Sequence, residues 1–402
     1  MPLTMREKKT IGVIEAVMDE RIEVNDAGRV LNRSVRQIYR MLRKLREQGL
    51  EGLRHGNRGR RSPHKTEKAI RKRIVAFAKG RLADINDTHL MEILLREEKI
   101  RIGRETLRAL LRKEGIAPKL KRRSPKHRSR RERKEAFGMM LQIDGSPHDW
   151  LEGRGGGPRL TLIGAKDDAT SHVWARFEEA ETTWGYLDLM REIVEERGLP
   201  LSLYSDRHVI FHSPKEPTIV EQIKSIRPLT QFGKAMDELG ITLIKAWSAP
   251  AKGRIENQWK TFQDRLVVEL RLKKVKTREA ANAFLREFLK DYNRRFTVPP
   301  RKSEPVFREA PSSSRLDRIL CLKETRTVNK DHTISFEGLV LQILPGRKYW
   351  SIARQKVKVL QLRDGSIEIA HKGQTVTRFS PEAVTRLVEK TQEDRSHLKK
   401  AA

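Results

Sequence analysis

The feature that most restricts how this chain can fold is a run of positive charge at residues 119–134, KLKRRSPKHRSRRERK. It holds ten Lys or Arg against one acid, Glu132. Such a run repels itself and has almost nothing apolar to bury, so it cannot join a core. The chain must fold on either side of it. A second break, HGNRGRRSPHK at 55–65, is basic and glycine-rich and reads as a linker. Ten positive charges over so short a length are costly to hold together without a polyanion, so the longer run reads as a phosphate-contacting tether. The whole chain of 402 residues carries 85 Lys and Arg against 53 Asp and Glu, a net +32. Nucleic acid is the leading partner for that surface, although charge alone also fits a ribosomal or merely basic protein. The single cysteine, Cys321, excludes an intramolecular disulfide and a multi-cysteine zinc site. No apolar run reaches the roughly 18 residues of a membrane span, and MPLTMREKKTIG has no secretory core. A cytoplasmic protein with no membrane partner is expected.

Residues 1–54 read as a first DNA-binding domain of three short helices, over 7–18, 24–31 and 35–48. In the third, Val35, Ile38, Tyr39, Leu42 and Leu45 recur at helical spacing. Arg33, Arg36, Gln37, Arg40, Arg43 and Lys44 fall largely on the opposite face. The polar connection Asn32–Arg33–Ser34 offers a cap. This is a helix-turn-helix pattern whose third helix suits a major groove; an ordinary three-helix bundle with solvated arginines satisfies the same periodicity. Arg58, Arg60 and Arg61 of the 55–65 linker are candidates for backbone or minor-groove contact. Residues 66–116 repeat the plan, with Leu107, Leu110 and Leu111 inward and Arg104, Arg108, Arg112 and Lys113 outward on the last helix. Two modules on a joint gain avidity without extra contacts. In the 117–134 linker the phosphate-contact candidates are Lys121, Arg122, Arg123, Arg128, Arg130 and Arg131.

From residue 135 to 298 the pattern is strands at 137–143, 160–166 and 173–177, a helix at 183–197, a strand at 201–205, a helix at 231–239, a strand at 242–246, and helices at 253–272 and 277–292. This order implies an α/β domain: an antiparallel meander joined to parallel crossovers in a mixed sheet. Residues 299–326 read as a connector. Short alternating stretches punctuated by glycine in 327–378 lead us to expect a small, basic C-terminal β-barrel that binds DNA, followed by a tail over 379–402.

Three carboxylates stand out in the α/β region: Asp144 in LQIDGS, Asp206 in LYSD, and Glu256 in APAKGRIENQWK. Phosphoryl transfer to water or a 3′-hydroxyl needs an activated nucleophile and a neutralised leaving oxygen. Two divalent ions held by hard oxygens do both. Asp144 belongs to the first strand, Asp206 ends the strand expected beside it, and Glu256 lies in the first turns of a helix crossing that edge. They are therefore the candidate catalytic and metal-ligating residues, with two Mg²⁺ ions per site and Mn²⁺ as substitute. Each also has a plain reading: Asp144 as a turn cap, Asp206 as the start of an Asx turn, Glu256 as an acid favoured by the helix dipole. Asp149, Asp167, Asp168, Asp237 and Asp264 compete. Lys252, Arg254 and Lys260 flank Glu256 as candidate contacts to substrate phosphate. Trp150 and Trp184 read as core packing.

On these motifs the chain resembles the DDE transposases and integrases of the retroviral-integrase superfamily. Within them it resembles bacterial insertion-sequence transposases of the ISNCY type. The matching stretches are LQIDGSPHDW, LYSDRH and SAPAKGRIENQWKTFQDRL, in that order over most of the chain. The resemblance implies a ribonuclease-H-like core and a nucleoid-associated bacterial enzyme. It implies hydrolysis at the ends of an element, then direct attack of the 3′-hydroxyls on target DNA. It also implies double-stranded DNA partners, namely terminal repeats and target, and a homodimer or higher assembly on DNA. Two other readings are a non-catalytic or decayed end-binding regulator and a ribonuclease-H-like nuclease.

Overall fold

The computed structural model describes residues 4–54, 66–119, 131–157, 159–216, 228–246, 253–344 and 351–401, with isolated positions 124, 219 and 222. Two compact units emerge, Met1–Phe77 and Ala78–Ala402.

The first unit holds α1 (Met5–Met18), α2 (Val24–Leu31), α3 (Val35–Gly52) and most of α4 (Lys68–Lys79). Asn32 takes a left-handed conformation to stop α2. Two residues later Ser34 starts α3 with a capping box, its hydroxyl accepting from the Gln37 amide while Gln37 Oε1 accepts from the Ser34 amide. Ile14, Ala27, Ile38 and Leu42 form the small core. That core is too small to take the whole apolar stripe expected of α3: Val35 and Tyr39 are 40% and 58% exposed, Tyr39 in the same helix as the exposed Arg36, Arg40 and Arg43. Gly49, with φ of 61°, kinks α3 where the sequence pattern ends it.

The second unit begins with α5 (Asp87–Glu98) and α6 (Arg104–Lys113). Its centre is a five-stranded sheet of β1 (Leu141–Pro147), β2 (Thr161–Asp167), β3 (Val173–Glu178), β4 (Ser202–Ser205) and β5 (Thr242–Lys245), in the order β3-β2-β1-β4-β5. The first three strands are antiparallel, and β4 and β5 join parallel to β1. This is the ribonuclease-H-like mixed sheet. Strands buried on both faces explain its near-continuous apolar runs. One face packs on α7 (Thr183–Arg197) and α8 (Gln231–Glu238), the other on α9 (Gly253–Leu272) and α10 (Arg278–Phe296). The outer edge of β3 is closed by two asparagines of α10. Asn293 exchanges hydrogen bonds with the backbone of Val173, and Asn282 does so with Phe177.

The C-terminal region corrects the expected barrel. After α11 (Ser313–Ile319) come β6 (Leu322–Thr327), β7 (Thr333–Phe336), β8 (Leu339–Gln342), β9 (Lys356–Gln361), β10 (Ile367–His371), β11 (Gln374–Phe379) and α12 (Pro381–Ala401). They form an open four-stranded sheet, β11-β10-β9-β6, and a separate β7-β8 hairpin, and no sheet among the described residues closes into a barrel. The free edge of β6 is used otherwise. Gln231 of α8 donates to the Lys323 carbonyl and accepts from the Lys323 amide, each at 2.9 Å. An edge satisfied by a neighbouring helix has no need to pair with a further strand. No helix among the described residues is long and apolar enough to cross a membrane.

Candidate active site

β1 begins and ends later than its apolar run suggests. It passes through Asp144, Gly145 and Ser146 to Pro147, so Asp144 sits mid-strand. Parallel pairing matches Leu141 with Leu203 and Gln142 with Tyr204. That pairing ends two residues before each aspartate, and Asp206 directly follows the last residue of β4. Both aspartates are half-buried. The buried Tyr186 phenol of α7 senses both. Burial first, then the negative charges of Glu181, Asp144 and Asp206, raise it well above its ordinary range. Its hydroxyl donates to Glu181 Oε1 at 2.6 Å. The same Glu181 carboxylate fills the space where a Cβ on Gly145 would lie, at 2.8–3.0 Å. Asp206 also accepts from the His208 amide at 2.9 Å, the Asx-type contact of its plain reading.

Glu256 is exposed in the first turn of α9. Three contacts lock that helix onto the sheet. Lys166 of β2 donates to Gln258 Oε1 at 2.9 Å, Trp259 Nε1 donates to Asp144 Oδ2 at 3.0 Å, and Gln263 Nε2 donates to Ser146 Oγ at 3.2 Å. Trp259 and Gln263 are one turn apart, and Asp144 and Ser146 share one face of the strand, so α9 runs along β1 in register. Burial, then the charges of Arg133 and Arg254, lower Lys166 to about 8. Hard carboxylate donors are what Mg²⁺ takes. Among the described residues no three His, Cys, Asp or Glu side chains gather closely enough to hold a metal ion, so Glu256 is not drawn in with the two aspartates. Three carboxylates without a cation repel one another.

The competing acids are engaged elsewhere. Asp167 is buried and accepts from the amides of Gly138 and Thr170 and from the Thr170 hydroxyl. Burial raises its carboxyl in spite of those donors. Asp168 is buried too and takes the Lys134 amide, the Gln142 side chain and the guanidinium groups of Arg131 and Arg254. Asp149 accepts from the Gly153 amide, Asp264 pairs with Lys119 at 2.6 Å, and Asp237 is exposed.

Of the candidate DNA contacts, Arg33, Arg36, Gln37, Arg40 and Lys44 are exposed, with Gln37 also capping α3. Arg104 and Arg108 are exposed beside Glu105, and Lys260 is exposed one turn beyond Glu256. Arg112 is tied to Asp87 at 2.5 Å and to the Ile116 carbonyl, and Arg131 and Arg254 are tied to Asp168. Arg58, Arg60, Arg61, Lys121, Arg122, Arg123, Arg128, Arg130 and Lys252 lie outside the described residues. Trp150 is fully buried and donates to the Ser146 carbonyl, and Trp184 packs between the core sheet and the C-terminal sheet under Arg363. Trp259, Tyr186 and Glu181 were not marked by sequence reasoning. Only the spacing of Trp259, three residues after Glu256 on one helix, pointed toward the site.

Comparison with known proteins decides the family. The chain is 32% identical over 376 residues to "Putative transposase y4bF" of Sinorhizobium fredii, covering 93% of this chain and 80% of that protein. It belongs to the family of bacterial transposases. It is also 31% identical over 399 residues to "Transposase for insertion sequence IS1202" of Streptococcus pneumoniae, covering 90% of this chain and 84% of that one. Residues 11–62 match the helix-turn-helix domain family. Among solved structures, the catalytic core domain of HTLV-2 integrase overlays 37% of this chain and 82% of its own at 13% identity, with a TM-score of 0.28. A helix-turn-helix and membership of the transposase family imply DNA binding.

Proposed function

We propose that this chain is a DDE-type DNA transposase. It binds the terminal repeats of an insertion sequence, frees the 3′-hydroxyls by hydrolysis and joins them to target DNA by direct transesterification. The observation that carries this reading is that Asp144 and Asp206 each lie two residues beyond the last paired step of β1 and β4, with Glu256 one turn from the Trp259 that touches Asp144. Asp144, Asp206 and Glu256 would hold divalent ions through hard carboxylate oxygens. When bound, two Mg²⁺ ions, or Mn²⁺ in their place, ease deprotonation of the attacking water or hydroxyl and offset charge on the leaving oxygen. The remaining work falls to the chain. β1 and the end of β4 would supply two carboxylates and α9 the third, and Lys260 on the Glu256 face of that helix would meet a substrate phosphate. Arg36, Arg40 and Lys44 on α3 meet the major groove of the terminal repeats. Two element ends must be handled together, so the active species is a dimer or higher assembly on DNA. The finer assignment to the ISNCY group rests on the order of the three acidic motifs.

The test is to incubate the full chain with Mg²⁺ and the DNA flanking its own gene. End cleavage and strand transfer are expected, and Asp144→Asn should remove both while sparing end binding. A chain that binds the ends but neither cuts nor joins them is an end-binding regulator instead. Normal joining by the Asp144→Asn variant would show that the acid is wrongly assigned.

A further inference from the structure

Trp259 occupies an unusual place. It is nearly buried in a helix that crosses the sheet, and its ring rests where β2 has no side chain. Gly164 is the residue paired across from Asp144. A Cβ there would lie 2.7 Å from the Trp259 ring and 2.8 Å from the Trp174 carbonyl. The glycine therefore leaves a slot in the sheet directly beside Asp144, and the indole fills it. From that slot Nε1 donates to Asp144 Oδ2 at 3.0 Å. Three residues along an α-helix is a rotation of about 300°, so Glu256 projects roughly 60° away from Trp259 and one turn earlier. A single rigid side chain thus fixes two things: the orientation of the Asp144 carboxylate and the height at which α9 presents Glu256. The neighbouring contacts, Lys166 to Gln258 and Gln263 to Ser146, hold the helix from its two sides but do not touch either acid.

We infer that Trp259 is a positioning residue of the active site, its indole N–H orienting Asp144 for the divalent ion while its ring, seated over Gly164, sets the register of the helix that carries Glu256. This rests on the reading of Asp144 as a metal ligand. A carboxylate held by an outer donor keeps its rotamer when it loses or gains an ion, and removing such a donor typically weakens metal affinity or activity about 10- to 100-fold.

The experiment uses the full chain as wild type, Trp259→Phe and Asp144→Asn. Phenylalanine keeps an aromatic ring in the slot and deletes only the donor. Binding of Mn²⁺ alone is followed by electron paramagnetic resonance, and end binding, melting temperature and strand transfer are measured alongside. The expected result for Trp259→Phe is Mn²⁺ affinity weakened about 10-fold and kcat reduced, with end-DNA affinity, KM for DNA and melting temperature unchanged. A merely structural role would lower the melting temperature and spare the Mn²⁺ affinity of the folded fraction. If Asp144→Asn loses Mn²⁺ but Trp259→Phe keeps wild-type affinity and rate, the inference is overturned and the assignment of Asp144 survives. If Asp144→Asn binds Mn²⁺ as wild type does, the assignment of Asp144 fails and the inference with it. Should Trp259→Phe not fold, the indole N–H resonances of the wild-type chain provide the second measurement. The signal displaced by Asp144→Asn should also move on adding Mg²⁺, and a signal insensitive to Mg²⁺ overturns the inference.

Discussion

Two pairs of acids sit on the same sheet and behave oppositely. Asp167 and Asp168, at the end of β2, are buried and crowded by donors, among them two backbone amides, a hydroxyl and two guanidinium groups. Asp144, within β1, and Asp206, just past the end of β4, are half-buried, and Glu256 at the start of α9 is exposed. The first pair is bound up in holding the sheet to the segment that enters it and to the start of α9. The second accepts from the Trp259 indole at Asp144 and from the His208 amide at Asp206. What separates them is enclosure: Asp167 and Asp168 are fully buried, whereas Asp144 and Asp206 are partly exposed.

The sharpest way to break this comparison is to neutralise each pair. Asp144→Asn or Asp206→Asn should lower strand transfer by roughly 10³-fold or more with little change in melting temperature, read by joining assays and calorimetry. Asp168→Asn should do the reverse. It strands Arg254 and Arg131 beside a neutral group, and unfolding free energy should fall by about 2–3 kcal/mol, less than for a fully buried pair because both arginines are partly exposed. Activity per folded molecule should stay near wild type. An Asp168→Asn chain that is stable but inactive would overturn the division.

A third prediction uses acid. Glu92 of α5 is gripped by Arg265 of α9 and Arg295 of α10. Burial works to raise it, but the hydrogen bonds and charges of the two arginines outweigh that and bring it from 4.5 down to about 2. A carboxyl lowered on folding contributes stability that is present above its unfolded value and lost as pH falls through the folded one. The wild-type chain should therefore lose stability between about pH 4.5 and pH 2, and Glu92→Gln should flatten that part of the profile. Asp167, raised by burial, contributes with the opposite sign: its share is present below its unfolded value and lost as pH rises through its folded one. Denaturant titrations at stepped pH separate the two.

The smallest effects concern the arginines, which divide as the acids do. Arg36→Ala on the exposed face of α3 should weaken end binding by about 1 kcal/mol and reduce the salt dependence by about one ion, without changing stability. Arg112→Ala, which breaks a pair with Asp87, should lower stability by about 1 kcal/mol. Its effect on end binding should be smaller than that of Arg36→Ala, measured by salt-stepped gel shift.

Much of the architecture could be read without coordinates because it is written in local pattern. The 3.6-residue period marks α1 to α3 and α9, short apolar runs mark the five core strands, and a charge run with almost no apolar residues marks where a core must stop. The order of the three acidic motifs also comes from the chain alone, and with it the family resemblance, which the comparisons bear out at the level of bacterial transposases and not at the finer ISNCY level. Other features depend on pairing between distant segments. The helix α11 and the strand β11 were missed because short elements with mixed composition carry little period. The open C-terminal sheet was misread because closure depends on what meets an edge strand, and here Gln231, 92 positions earlier, meets it. Val35 and Tyr39 fit the apolar stripe of α3, yet only the size of the small helical core left them outside. The same holds at the opening pair of acids. Sequence favours Asp144 and leaves Asp168 as a competitor; the slot at Gly164 and an indole 115 positions away decide how Asp144 is held, and Arg131, Arg254 and Gln142 how Asp168 is.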